Sequence, residues 1–213
     1  YGYSTMAQGV ARCIGFELMQ NFNFPYFSKS PSEFWRRWHI SLSTWLRDYL
    51  YIALGGNRGT SFKTYRNLML TMLLGGLWHG AGWAFIAWGL FHGAILAIYK
   101  AFGIDSFVEV KLPRLPLTSR FIVSITLWAT LVLLVMIGWV FFRSTSIGGA
   151  ASVFSAIASG AGYELQRFTP ILIFLVPLVA VEYTQFRLGI VNILSAGPFL
   201  LRFTTTVSAI MII

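Results

Sequence analysis

The chain has 213 residues, of which 56% are hydrophobic, 17% aromatic and only 11% charged, with a net charge of +9. Soluble domains carry about 25% charged residues, so this composition excludes an ordinary soluble fold and points to a surface that meets lipid. The positive charge sits between apolar stretches, as in cytoplasmic loops, and not on a face suited to nucleic acid, so no nucleic-acid partner is expected.

Cys13 is the single cysteine; it excludes internal disulfides and a Cys-rich zinc site, and is expected as a small buried thiol. The chain opens at Tyr1 without an initiator Met and closes in an apolar run, Phe203 to Ile213, too short to span a bilayer. Both ends are expected to be cut, with the N-terminal half and extreme C-terminus of a longer protein missing. Residues 1–24 read as a weaker helix, with Arg12 and Glu17 placing it inside a bundle or near an interface.

Residues 31–54 predict an amphipathic helix. Ser30 is an N-cap, Pro31 suits the first helical position, and Glu33 completes a Ser-x-x-Glu capping box. Gly55-Gly56 supply the stop. Helical spacing puts Phe34, Trp38, Leu42, Trp45, Tyr49 and Ile52 on one face and Arg36, His39, Ser43 and Arg47 on the other. The apolar face suits an interface; the polar face, with its guanidinium groups, suits an anionic ligand such as a phosphate-bearing coenzyme.

No charged residue occurs from Asn67 to Tyr99. At about 1.5 Å per residue a single helix there would be about 50 Å long, against about 30 Å of hydrocarbon. Either a long tilted helix with a break or a re-entrant helical hairpin fits, and Gly75, Gly76, Gly80 and Gly82 favour the break. The flanking stretches, Lys29 to Arg66 and Lys100 to Arg120, are both basic and read as cytoplasmic, which favours the hairpin. His79 lies midway in this window. An ionisable side chain at such depth usually faces a cavity or partner, and a neutral imidazole can take a proton from an attacking hydroxyl. His92 falls on a different face of any continuous helix, and a packing hydrogen bond is its expected role. Phe121 to Phe142 is the cleanest transmembrane helix. Residues 168–186, with Pro170, Pro177 and Glu182, predict a kinked span, followed over 188–201 by a short or interfacial piece. The fold class is therefore all-α, a polytopic membrane helical bundle. No nucleophile elbow, P-loop or HExxH motif occurs, and seven acidic residues make a di-metal carboxylate site improbable; no metal is expected.

The run Pro31-Ser-Glu-Phe-Trp-Arg-Arg-Trp-His-Ile-Ser-Leu-Ser-Thr-Trp-Leu-Arg-Asp-Tyr-Leu-Tyr51, with Leu54-Gly-Gly-Asn-Arg58, resembles the membrane-bound O-acyltransferase family, nearest to its bacterial alginate O-acetyltransferase branch. Glu17 to Tyr26, Gly76 to Trp83 and Gly138 to Arg143 agree, so the likeness covers roughly residues 1–145. After Ser146 it fades to hydropathy. The resemblance implies a funnel-like helical bundle in the bacterial cytoplasmic (inner) membrane, crossing it many times. It implies transfer of an acyl group, most simply acetyl from acetyl-CoA, to a hydroxyl of an exported or cell-surface polysaccharide such as alginate, with a periplasmic or extracellular acetyl-transfer partner protein. No cofactor stays bound; acetyl-CoA, or an acyl carrier, is substrate.

The family's invariant histidine matches His79 and a second implicated histidine matches His39. With them, Arg36 and Arg37 are expected to face the anionic donor and Trp78 to bind substrate, while Asn57 and Arg58 either shape the cytoplasmic mouth or form a turn and a basic anchor. Two departures stand out: Thr5 where relatives usually show Asp, and Ala53 where they often show Pro. Two rivals remain, D-alanyl transfer from a carrier protein to teichoic acid on the same architecture, and a transporter using His79 as a proton relay.

Overall fold

The computed structural model describes residues 2–160 and 165–189. It falls into two units, Tyr1–Ala161 and Gly162–Ile213. All regular structure among the described residues is helical.

In the first unit, α1 (Gly2–Cys13) is shorter than the helix expected over 1–24. Arg12 pairs with Glu17 at 3.4 Å across the turn that follows. Cys13 is exposed, contrary to expectation: it is the last residue of α1, where the chain turns away through Gly15 at φ 87°.

α2 (Pro31–Arg37) starts as its sequence dictates. Ser30 Oγ accepts the Glu33 N–H at 3.3 Å. The Glu33 carboxylate reaches back to the N–H of Lys29 at 2.9 Å, one residue earlier than the usual reciprocal bond.

The expected helix over 31–54 is broken, however. Trp38 is extended and His39 is left-handed at φ 44°, ψ 56° before α3 (Ile40–Trp45) begins. The cause is a segment distant in sequence. Asn21 receives the Ile40 N–H on its carbonyl and the Ser41 N–H on Oδ1, both at 2.9 Å, and Asn23 N–H donates to the Arg37 carbonyl. These bonds satisfy the end of one helix and cap the next. A π-helical turn, Leu46–Tyr51, follows. The break and the turn rephase the expected faces: Phe34 and Leu46 are buried, whereas Trp45, Tyr49 and Ile52 are exposed. Gly55 and Gly56 then end the segment with positive φ, as glycine allows.

The window 67–99 folds as two helices. α4 (Ser61–His79) and α5 (Trp83–Ala101) are joined by the turn Gly80–Gly82. They lie antiparallel in intimate contact: a Cβ at Gly76 would collide with the Phe85 carbonyl, and one at Gly89 with that of Met72. Small residues permit such backbone approach between membrane helices. Asn67, fully buried on α4, donates to the carbonyls of Leu54 and Gly56 at 3.0 and 3.1 Å and so pins the Gly-Gly-Asn loop to the hairpin.

A short stretch comprising α6 (Ile104–Ser106) and the turns Phe107–Lys111 and Leu112–Arg114 leads to α7 (Leu117–Arg143), which contains the expected span 121–142. Its buried residues, Leu131, Val135 and Gly138, recur at helical spacing as one stripe. Leu131 and Val135 meet Phe34 of α2, with Trp35, Trp38 and Trp139 around them. Trp128 Nε1 donates to the Tyr26 carbonyl at 2.7 Å. α5 and α7 are each long and apolar enough to cross a bilayer. α8 (Ile147–Ser159) is capped by Ser146.

In the second unit, α9 (Leu165–Leu188) is one helix containing the expected span 168–186. The piece expected over 188–201 lies, beyond Gly189, outside the described residues.

Candidate active site

His79 ends α4, and the chain beyond it must turn. The ring is packed edge-on against Phe142 (4.8 Å between centroids), Trp88 (5.3 Å) and its neighbour Trp78 (4.9 Å). It borders a cavity of about 150 Å³. His39 lines the same cavity. Left-handed backbone costs a non-glycine residue roughly 1–2 kcal/mol, and strain of this kind collects at functional sites. Here the two bonds that Asn21 accepts from the Ile40 and Ser41 N–H groups hold it and deliver the imidazole to the chamber. Its Nδ1 is buried without a hydrogen-bond partner.

The rest of the lining comes from several elements. α2 contributes Trp35, the break Trp38, α3 Leu42, and the π-helical turn Leu46. α4 adds Met72 and Gly75, α5 Trp88, and α7 Trp139 and Phe142. No charged side chain borders this chamber.

A second cavity, of about 420 Å³, shares Trp35, Leu46 and Met72 with the first, so those three side chains form the partition. Its chemistry is different: Arg36, Arg47 and Lys100 face it with Asp105, Ser32, Ser43, Tyr51 and Asn57. Arg36 also pairs with Glu109 at 2.7 Å, and Ser32 Oγ donates to Asp105 Oδ2 at 3.0 Å, so the 104–109 stretch is tied to α2 beside this mouth. Tyr51 donates its hydroxyl to Asn57 Oδ1 at 2.6 Å. Burial pushes the Tyr51 phenol above its ordinary range, so it stays a protonated donor at neutral pH. The arrangement is a charge-free chamber holding two imidazoles behind a larger cationic vestibule.

The residues singled out in the sequence are thus divided. His79 and His39 meet on the inner chamber, and Arg36 and Asn57 on the outer one. Trp78 stands beside both histidines, 6.4 Å from His39 by ring centroid, but is largely exposed and lines neither cavity. Arg37 is occupied by Glu33 at 2.9 Å and the Asn23 carbonyl at 3.3 Å, and Arg58 is exposed; neither borders the two cavities. His92 is buried through ring contacts with Trp35 of α2 and with Trp88 and Phe91 of its own helix, and not through the expected hydrogen bond, since its Nδ1 has no partner.

The aromatic lining from α5 and α7, and the partition Trp35–Leu46–Met72, carried no local signal. The helical spacing of Arg36, Ser43 and Arg47 was the one pattern that pointed to the vestibule.

Two histidines on one aromatic, charge-free chamber suit proton transfer to or from an acyl acceptor, and the sequence agrees in detail. The membrane-bound O-acyltransferase family profile matches residues 1–137; the chain belongs to that family and is a membrane protein.

Among individual relatives, it is 56% identical over 165 residues to a probable alginate O-acetylase of Azotobacter vinelandii, covering 78% of this chain and 31% of that protein. It is 40% identical over 165 residues to a peptidoglycan O-acetyltransferase of Helicobacter pylori, covering 77% and 29%. A teichoic acid D-alanyltransferase of Streptococcus thermophilus is 38% identical over 109 residues, covering 47% and 26%. The chain thus spans less than a third of the length of these relatives.

Proposed function

We propose that the intact protein is a multi-pass O-acetyltransferase of the bacterial cytoplasmic membrane. It moves an acetyl group from acetyl-CoA to a hydroxyl of an exported or cell-surface polysaccharide such as alginate, with an acetyl-transfer partner protein on the far side. The observation that carries this reading is the placement of His79 and His39 on one charge-free chamber that shares a wall with a cationic vestibule.

In this reading the donor's phosphates lie in the vestibule near Arg36, Arg47 and Lys100, with Asn57 at its edge, and the thioester reaches His79. His79 takes the proton of the acceptor hydroxyl as its oxygen attacks the thioester carbonyl. The new C–O bond forms, the C–S bond breaks, and the proton passes to the departing thiolate, restoring neutral imidazole. General-base assistance of this kind is worth roughly 10²–10⁴-fold. His39 supports the transfer from across the chamber. The names of the more similar relatives favour acetyl over D-alanyl transfer.

The test uses membranes containing the intact gene product, as wild type, His79→Ala and His39→Ala at matched expression, with radiolabelled acetyl-CoA. Label is expected in the glycan or secreted polymer with wild type and lost with His79→Ala. Undiminished transfer by His79→Ala removes His79 from its role. No transfer by wild type, with transfer from a D-alanyl carrier protein instead, moves the protein to the other branch.

A further inference from the structure

We infer that Leu46, seated on Gly75, sets the upper limit on the length of acyl chain that the inner chamber accepts. The inference rests on the acyl-transfer reading above. An apolar cavity near 150 Å³ holds a molecule of about the size of benzene, and the chamber beside His79 has about that volume. A thioester carbonyl with a very short acyl chain fits such a space. A hexanoyl thioester, whose six carbons match that size limit before the carbonyl oxygen and sulfur are counted, does not.

Which side chain closes the space follows from the partition. Of Trp35, Leu46 and Met72, which border both cavities, Trp35 is locked in ring contacts with Trp88 and His92, and Met is a flexible gap-filler. Leu46 is fixed. It is buried, its N–H is held by the carbonyls of Leu42 and Ser43, and its Cδ1 lies 3.2 Å from where a Cβ on Gly75 would stand. The pair therefore offers opposite perturbations. Leu46→Ala deletes an isopropyl group and enlarges the chamber beside Gly75. Gly75→Ala adds a methyl against Leu46 and narrows it, at a position where Ala suits the helix better than Gly.

The experiment measures kcat/KM for acetyl-, propionyl-, butyryl- and hexanoyl-CoA with the intact protein in membranes, for wild type, Leu46→Ala and Gly75→Ala. Each result is a ratio to acetyl within one variant, so a change in the amount of folded protein cancels. One methylene in a hydrophobic pocket is worth roughly 10–200-fold in discrimination. Leu46→Ala is expected to raise the butyryl-to-acetyl ratio at least about tenfold, and Gly75→Ala to lower the propionyl-to-acetyl ratio by a similar factor. If Leu46→Ala leaves no protein in the membrane, Leu46→Val and Gly75→Ala carry the comparison. Ratios within about twofold of wild type in these variants, or wild type that uses hexanoyl as readily as acetyl, overturn the inference while leaving acyl transfer standing. Wild type that transfers no acyl group from any donor overturns both.

Discussion

Gly138 on α7 stands where the helix meets His92 on α5. A Cβ there would lie 2.5 Å from His92 Nε2, 3.2 Å from Cε1 and 3.4 Å from Cδ2. The ring has nowhere to go, because Trp88, Trp35 and Phe91 pack around it at 4.9, 5.3 and 5.6 Å between centroids. Gly138→Ala therefore forces the helices apart or turns the imidazole into Trp88. Overpacking costs about 1–3 kcal/mol, and three ring atoms in the way place this case at the upper end. Ala offsets about 1 kcal/mol by its better helix propensity, leaving a net loss of about 2 kcal/mol.

The check is thermal unfolding of the purified intact protein, followed by tryptophan fluorescence, for wild type, Gly138→Ala, His92→Ala and the double variant. With His92 gone the clash disappears, and Gly138→Ala becomes stabilising by the propensity gain alone. The coupling between the two sites is then about 3 kcal/mol, well above the additive expectation for independent positions. Equal effects of Gly138→Ala in both backgrounds would refute the steric argument. Because Trp88 packs on His79, the same single variant is expected to transfer acyl groups at least about tenfold more slowly.

Asn67→Ala removes the donors to the Leu54 and Gly56 carbonyls. A buried carbonyl left unsatisfied costs about 1–3 kcal/mol and a partly hydrated one about 1 kcal/mol, so a loss of about 2–4 kcal/mol is expected in the same unfolding assay. A variant as stable as wild type would show that the loop does not depend on this residue. Arg36→Ala and Arg37→Ala separate the two adjacent arginines. Arg36 faces the vestibule, so its loss is expected to raise KM for acetyl-CoA several-fold in a salt-dependent manner. Arg37 is held by Glu33 and Asn23, so its loss should leave KM unchanged and lower stability by about 1 kcal/mol.

Legibility in the sequence followed the range of the interaction responsible. The Ser30 cap and the Gly55-Gly56 stop are local, and both stand where a short window predicts them. The break into two helices beside His79 was readable from the charge-free run and the glycines around it. The break at Trp38–His39 was not, because α2 and α3 separately obey helical periodicity. Its origin is Asn21, whose two hydrogen bonds no window over 31–54 contains. The same limit applies to the chamber: Trp88, Trp139 and Phe142 read as ordinary span residues until the helices are set side by side.

The order in which the chamber walls leave the ribosome has its own consequence. His39 and His79 emerge well before the walls from α7, and the α4–α5 hairpin, being local, can close as soon as it is made. Trp139 and Phe142 come at the far end of α7. A nascent chain arrested before them carries both imidazoles but leaves His79 without its Phe142 wall. The aromatic enclosure of the two histidines is thereby completed only once the far end of α7 has been made.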